Sequence, residues 1–211
     1  MYLSPDVPEE NEYDVVVCGG GCSGWVAAVA AARHGARTAL IERYGFLGGT
    51  ATGGLVVPIS GFFKSGKRVI GGIAYEFVKK MEAAGAACFE MPKGHVSVDP
   101  EYYKLFAQRM LLASGADLYS NSVVVSAEKE NGEVSSVLYS GPDGTGRIRG
   151  KFFIDATGNG NLLKCAGISM TENESLQPMS LCFELSGVDL KSPLMKDCIH
   201  HNGKNGPHFM Q

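Results

Sequence analysis

The stretch DVVVCGGGCSGWVAAVAAARHGARTALIE, residues 14–42, decides the fold. Residues 13–18 are almost wholly apolar, the pattern of a parallel strand buried on both faces. The alanine-rich run 24–33, stopped by Gly35, predicts a helix, and residues 37–41 predict a second buried strand. Together they make a βαβ unit. Gly19, Gly21 and Gly24 stand in G-x-G-x-x-G register between the first strand and the helix. In that register the first glycine permits a sharp turn, the second lets a pyrophosphate approach the backbone, and the third lets helix and strand pack closely. The amides of Gly21, Cys22 and Ser23, with the positive end of the helix dipole, would face the phosphates. Glu42 lies 23 positions after Gly19, at the end of the second strand. An acid there accepts hydrogen bonds from adenosine ribose hydroxyls and repels a 2′-phosphate. Arg43 follows, placed to lie over the adenine, to neutralise phosphate, or to stay a surface arginine. Cys22 is expected for its small side chain rather than for redox chemistry, since a second cysteine to exchange with it is not evident.

The rest of the chain is long enough to use such a unit. Its 211 residues, 45% hydrophobic and 19% charged, allow one large globular domain, or one domain and part of another. A net charge of -3 with scattered lysines and arginines gives no basic stripe, so nucleic acid is not an expected partner. The polar, acidic start and the lack of any long apolar run predict no secretory signal and no membrane span, with the cytoplasm as the expected location. The six cysteines form no CxxC pair and read as free thiols. His34 complements a helix end, and His95 is expected in a loop. His200, His201 and His208 crowd the tail without a further ligand, so no metal site is expected.

Further along, Ile73, Phe77, Val78 and Met81 share one helical face, with Lys79, Lys80 and Glu82 opposite. A third helix opens at Asp99 as N-cap with Pro100 in its first turn, and ends near Gly115. Two alternating β runs flank Asn131-Gly132, a pair suited to a two-residue hairpin turn. A second turn, GPDGTG, leads to a strand whose apolar end, 152–154, is expected to be buried, so that a three-stranded antiparallel piece precedes a return to the parallel sheet. The stretch LQPMSLCFELSGVDL is expected to be a strand of a different sheet.

With GFLGGTATGG (45–54) and IDATGNG (154–160) added, the chain resembles the glutathione-reductase-like FAD superfamily. Within it, the resemblance is to FAD-dependent oxidoreductases related to the succinate dehydrogenase and fumarate reductase flavoproteins. It covers about residues 13–187. The resemblance implies an α/β fold: a Rossmann-like FAD-binding domain with a parallel sheet and an inserted three-stranded antiparallel β-meander, plus the start of a second, substrate domain. The expected division is a polar tail at 1–12, the FAD-binding domain at 13–175 and the beginning of the substrate domain at 176–211. Gly48, Gly49, Thr50 and Ala51 would belong to a loop folded back over the pyrophosphate and the flavin edge. Ala156, Thr157 and Gly158 would leave room for the cofactor, and Val123 would offer a backbone contact to adenine. FAD would be held non-covalently, because the loop after Glu42 contains no histidine.

The family's Gly-Asp pair at the flavin ribityl chain has no counterpart after Gly158. A partner chain or a C-terminal segment would then complete the flavin site, and catalytic residues are not identifiable. The expected function is hydride transfer between a small-molecule substrate and FAD. The alternatives are an NAD-dependent dehydrogenase domain and a non-catalytic dinucleotide-binding module that needs a partner.

Overall fold

Alternation along two neighbouring strands builds a core on each side of one sheet. The structure is a computed structural model that describes residues 9–90, 94–171, 179–187, 189 and 192–193. In chain order the elements are β1 (Glu9–Cys18), α1 (Gly24–Arg33), β2 (Thr38–Ile41), a 3-10 turn (Gly49–Ala51), β3 (Pro58–Ile59), β4 (Phe63–Lys64), β5 (Lys67–Arg68), α2 (Gly72–Ala83), β6 (Ala87–Glu90), β7 (His95–Val98), α3 (Pro100–Ala113), β8 (Asp117–Tyr119), β9 (Val123–Glu130), β10 (Glu133–Gly141), β11 (Gly144–Asp155) and α4 (Asn161–Cys165). Six strands form the main sheet in the order β8-β2-β1-β11-β10-β9. The first four run parallel, and β10 and β9 extend the sheet antiparallel.

Val17 and Leu40 point to one face, where Trp25 of α1, Phe77 and Met81 of α2, and Tyr103 and Leu111 of α3 bury against them. Val16, Cys18, Ala39 and Ile41 point to the other, joined by Val137, Ile148 and Leu162. Burial of both faces explains the unbroken apolar run at the end of β1. Asp99 caps α3 by accepting the amides of Glu101 (2.8 Å) and Tyr102 (3.0 Å), with Pro100 next to it, as its sequence predicts. Asn131 and Gly132 both take positive φ (54° and 87°) between β9 and β10, the geometry of a two-residue hairpin.

The meander and the return to the parallel sheet prove to be one strand. Residues 144–149 of β11 pair antiparallel with β10, and residues 147–155 pair parallel with β1. The length of β11 also draws β1 back to Glu9, which pairs with Arg147, where the sequence places a polar tail.

Three expectations need correction. Phe152 and Ile154 lie in a strand but are 69% and 37% exposed, because α1 covers β1 and β2 on that face and no described element covers β11 there. Within LQPMSLCFELSGVDL, the described residues 179–187 carry no strand, since none of the described strands pairs with them. His95 is in β7 rather than a loop. There its Nδ1 lies 3.0 Å from Ser60 Oγ, and β7 joins β3 and β6 in a small antiparallel sheet that the short, glycine-broken strands conceal in sequence. Cys198 and the tail histidines His200, His201 and His208 lie outside the described residues.

Phe77 sits where α1, α2 and α3 meet, with its ring 4.9 Å from Trp25 and 4.6 Å from Tyr103 between centroids. Phe77→Ala is expected to cost about 3–5 kcal/mol, the usual range for a buried aromatic. The midpoint of urea unfolding measures it.

Candidate functional site

Strands β1, β2 and β11 end at one edge of the sheet, with β1 between the other two. The chain leaves β1 toward β2 and reaches β11 on the opposite side, so this edge is a topological switch point, where open α/β sheets bind ligands. Ala156 N–H donates to the Cys18 carbonyl (2.8 Å), and Gly19 N–H to that of Ile41 (2.7 Å), joining the three ends.

The glycine loop fits into this junction with no room to spare. Gly19 has φ +101°, and a Cβ there would strike the Ala156 carbonyl oxygen; a Cβ on Gly24 would strike the Gly19 carbonyl oxygen. Both positions require glycine. At Gly21 the nearest neighbour of an added Cβ would be Gly49 Cα, 3.9 Å away, so the space before it is open. Helix α1 starts just beyond: its first turn includes the bond from Trp25 N–H to the Gly21 carbonyl (3.3 Å), which leaves the preceding amides at the helix N-terminus.

A cleft of about 610 Å³ runs along these ends. The predicted residues Gly19, Gly21, Cys22 and Ser23 line it with Glu42 and Arg43. Gly49, Thr50 and Val123 form further wall, as do Ala156, Thr157 and Gly158. Gly24, Gly48 and Ala51 do not line it. Gly24 is buried under the glycine loop, and Gly48 backs that loop, its N–H bonded to the Gly20 carbonyl (2.9 Å). Ala51 is 3% exposed in the core. The loop 48–54 therefore does fold back, in a parallel bridge from Gly48 to Gly21. Tyr44, Ser122, Val124, Asn159 and Asn161 also line the cleft, and the sequence reading passed over them. Each stands within three residues of a residue it named, which was the available signal.

Glu42 is built into the loops. Its Oε2 accepts the Gly20 amide and its Oε1 the Tyr44 amide (2.8 Å), and the residue is 7% exposed. Its carbonyl accepts the Ser122 amide (2.9 Å), bringing the entry of β9 and Val123 to the cleft. The Arg43 guanidinium lies over the Tyr44 ring, 4.7 Å from its centroid.

Asp155 lies inside the IDATGNG motif but carries no separate signal in the sequence. Its carboxylate accepts the Thr157 amide (2.9 Å), the Thr157 hydroxyl (2.7 Å) and the Leu163 amide (3.0 Å). The Thr157 hydroxyl in turn accepts the Asn161 amide (2.8 Å). Burial acts to raise the Asp155 pKa, but these hydrogen bonds outweigh it and hold the carboxyl below its ordinary value. Asp155 thereby shapes the turn from β11 into α4. The described cysteines Cys18, Cys22, Cys88, Cys165 and Cys182 are free, and no group of three or more potential metal ligands occurs among the described residues.

The family model of FAD dependent oxidoreductases matches residues 14–210. The chain belongs to this family. FAD is accordingly its cofactor, which decides between the FAD and NAD readings that the glycine loop alone leaves open. The chain is 28% identical over 196 residues to digeranylgeranylglycerophospholipid reductase 2 of Methanothermobacter thermautotrophicus, covering 88% of this chain and 50% of that one. It is 58% identical over 43 residues to dihydrolipoyl dehydrogenase of Trypanosoma brucei brucei, covering 20% of this chain and 9% of that one. Among solved structures, a geranylgeranyl bacteriochlorophyll reductase-like protein from Thermoplasma acidophilum matches with a TM-score of 0.57 at 20% identity, over 75% of this chain and 42% of that one. Half the length of the first reductase is thus spanned. No helix among the described residues is long and apolar enough to cross a membrane.

The hydrogen bonds to Asp155 stabilise its charged form. That contribution is complete at neutral pH and is lost as pH falls from the unfolded value of about 3.9 through the lower folded one. Asp155→Asn is expected to lower stability at pH 7 by about 1 kcal/mol, the scale of a lost helix cap. It should also shrink the loss between neutral and acidic pH, which denaturant unfolding at a series of pH values measures.

Proposed function

We propose that this chain supplies the FAD-binding part of an oxidoreductase that passes hydride between a small-molecule substrate and flavin. The observation that carries the reading is the open space at Gly21 beside the N-terminus of α1, inside a cleft of about 610 Å³. An anionic pyrophosphate suits that place, with the amides of Gly21, Cys22 and Ser23 and the helix dipole directed at it. Glu42 has both oxygens engaged by loop amides, yet each keeps a lone pair for a ribose hydroxyl. Val123, Arg43 and Tyr44 stand at the adenine end of this reading. Gly49, Thr50, Ala156, Thr157 and Gly158 border the path toward the flavin. When bound, FAD supplies the hydride chemistry, and the protein supplies position and electrostatics.

We further assign residues 13–175 to the FAD-binding domain and 176–211 to the beginning of a substrate domain, with a partner chain or further segment completing the flavin site. FAD is held non-covalently, and the cytoplasm is the proposed location. The kinship with succinate dehydrogenase and fumarate reductase flavoproteins is part of the same proposal, supported by the fold-back of the loop 48–54 over Gly21. The reductase names of two matched proteins favour a reaction that reduces the substrate.

Calorimetric titration of the purified chain tests the reading. FAD and ADP are expected to bind with dissociation constants within about tenfold of each other, since the walls described contact the ADP half, and NAD more weakly. Gly21→Val should abolish FAD binding while the circular dichroism spectrum is kept, because its side chain occupies ligand space rather than core. Absence of FAD binding, or a preference for NAD, would overturn the proposal.

A further inference from the structure

Tyr44 and Phe46 belong to neither core, yet their rings are stacked. The centroids lie 5.3 Å apart and the planes differ by 4°, the offset-parallel arrangement that aromatic pairs favour. Neither ring joins the clusters that fill the two faces of the sheet, and Tyr44 is 42% exposed where it lines the cleft. A pair that served only the core would be buried. The stack is instead held at both ends by a cation. The Arg43 guanidinium lies over the Tyr44 ring at 4.7 Å, and Lys104 Nζ lies over the Phe46 ring at 4.5 Å. Lys104 is itself held on α3 by Glu101 (2.5 Å).

The backbone that carries the rings is fixed as well. Tyr44 N–H donates to Glu42 Oε1 (2.8 Å), and the Tyr44 carbonyl accepts the Asn121 amide (3.1 Å), so the segment is pinned to the ends of β2 and β8. Phe46 also reaches the loop 48–54: a Cβ on Gly53 would meet the Phe46 ring at 3.5 Å. Arg43, Tyr44 and Gly53 line the cleft, whereas Phe46 and Lys104 do not. Phe46 therefore stands behind the wall of the cleft and meets it at Tyr44 and at Gly53.

We propose that Phe46 is a positioning residue for the adenine end of FAD: anchored by Lys104, its ring sets the plane of Tyr44 and, through Tyr44, the place of the Arg43 guanidinium beside the base. The inference rests on the FAD reading of the cleft and adds the wall that faces the base. A purine presents a broad π face to a guanidinium or a tyrosine ring, and a pyrimidine presents a smaller one. Order in Arg43 and Tyr44 before binding lowers the entropy cost of closing on the base. Phe46→Leu keeps an apolar side chain and removes the stack, whereas Phe46→Tyr keeps the ring.

In calorimetric titrations, Phe46→Leu is expected to weaken FAD and ADP about fivefold each, the scale of one aromatic pair, and UDP by less than about twofold. Phe46→Tyr should bind all three as the parent does. A merely structural loss in the loop would weaken ADP and UDP alike. In ligand-free protein, the Arg43 side-chain protons are expected upfield in the ring current of Tyr44, and Phe46→Leu should return them toward their random-coil positions. The proposal is overturned if Phe46→Leu binds ADP within about twofold of the parent, if ADP and UDP weaken equally, or if Phe46→Tyr does not restore binding. Unchanged Arg43 shifts in Phe46→Leu overturn it as well. A parent chain that binds neither FAD nor ADP would defeat the functional reading instead, and the Arg43 shifts would still decide the stack. Should Phe46→Leu fail to fold, Lys104→Met takes its place, with ADP expected about threefold weaker and an unchanged dissociation constant overturning the proposal.

Discussion

The contact of helix α1 with the end of β1 is the constraint on which the rest depends. Gly24 rests on the Gly19 carbonyl and Gly19 rests on the Ala156 carbonyl, with no space for a side chain at either point. Helix, central strand and returning strand therefore meet in one place. The parallel register makes this possible, because it sets Cys18 beside Asp155 and so delivers Ala156 directly under the glycine loop. A slip of one residue would replace Ala156 by Thr157 or Asp155 and reverse the faces of β11. Chain segments more than 130 residues apart in sequence thus share a single wall of the cleft, with Gly19 and Ala156 in contact.

Around that junction, negative charge is used to hold loops in shape. Glu42 binds the amides of Gly20 and Tyr44, and Asp155 binds those of Thr157 and Leu163. Hydrogen bonds to a charged group contribute roughly 1.5–3 kcal/mol each, more than neutral ones. Two carboxylates, at the ends of the strands β2 and β11 that flank β1, thereby fix the turns that border the cleft. The start of α1 lies beside the open space at Gly21. Arg43 is the one lysine or arginine among the described residues that line the cleft, in a chain of net charge -3.

The two faces of the sheet are unequal. Helix α1 covers β1 and β2 on one face, whereas Phe152 and Ile154 of β11 remain exposed on the same side. Alternation and hydrophobicity report that a side chain suits a buried place. They do not report which element arrives to bury it. The same reasoning accounts for residues 179–187, where Leu181, Phe183 and Leu185 alternate as in a strand but are 87%, 69% and 69% exposed.

The βαβ unit, the glycine register, the capped helix α3 and the hairpin at Asn131-Gly132 were legible before any coordinates, because each depends on residues close in sequence: φ at a turn, an N-cap, a helical face. Most of the cleft wall was legible too, since its motifs end strands, and strand ends of a parallel sheet share an edge. Tertiary structure alone decided the rest. It merged the meander and the parallel return into one strand, placed His95 in a small sheet, turned Glu42 toward loop amides, and put Tyr103 behind Gly48 and beside Trp25. Those features depend on the pairing and packing of residues far apart in the chain. Such contacts leave no local pattern, because the hydrogen bond from Trp25 to Tyr103 exists only once α3 has packed against α1.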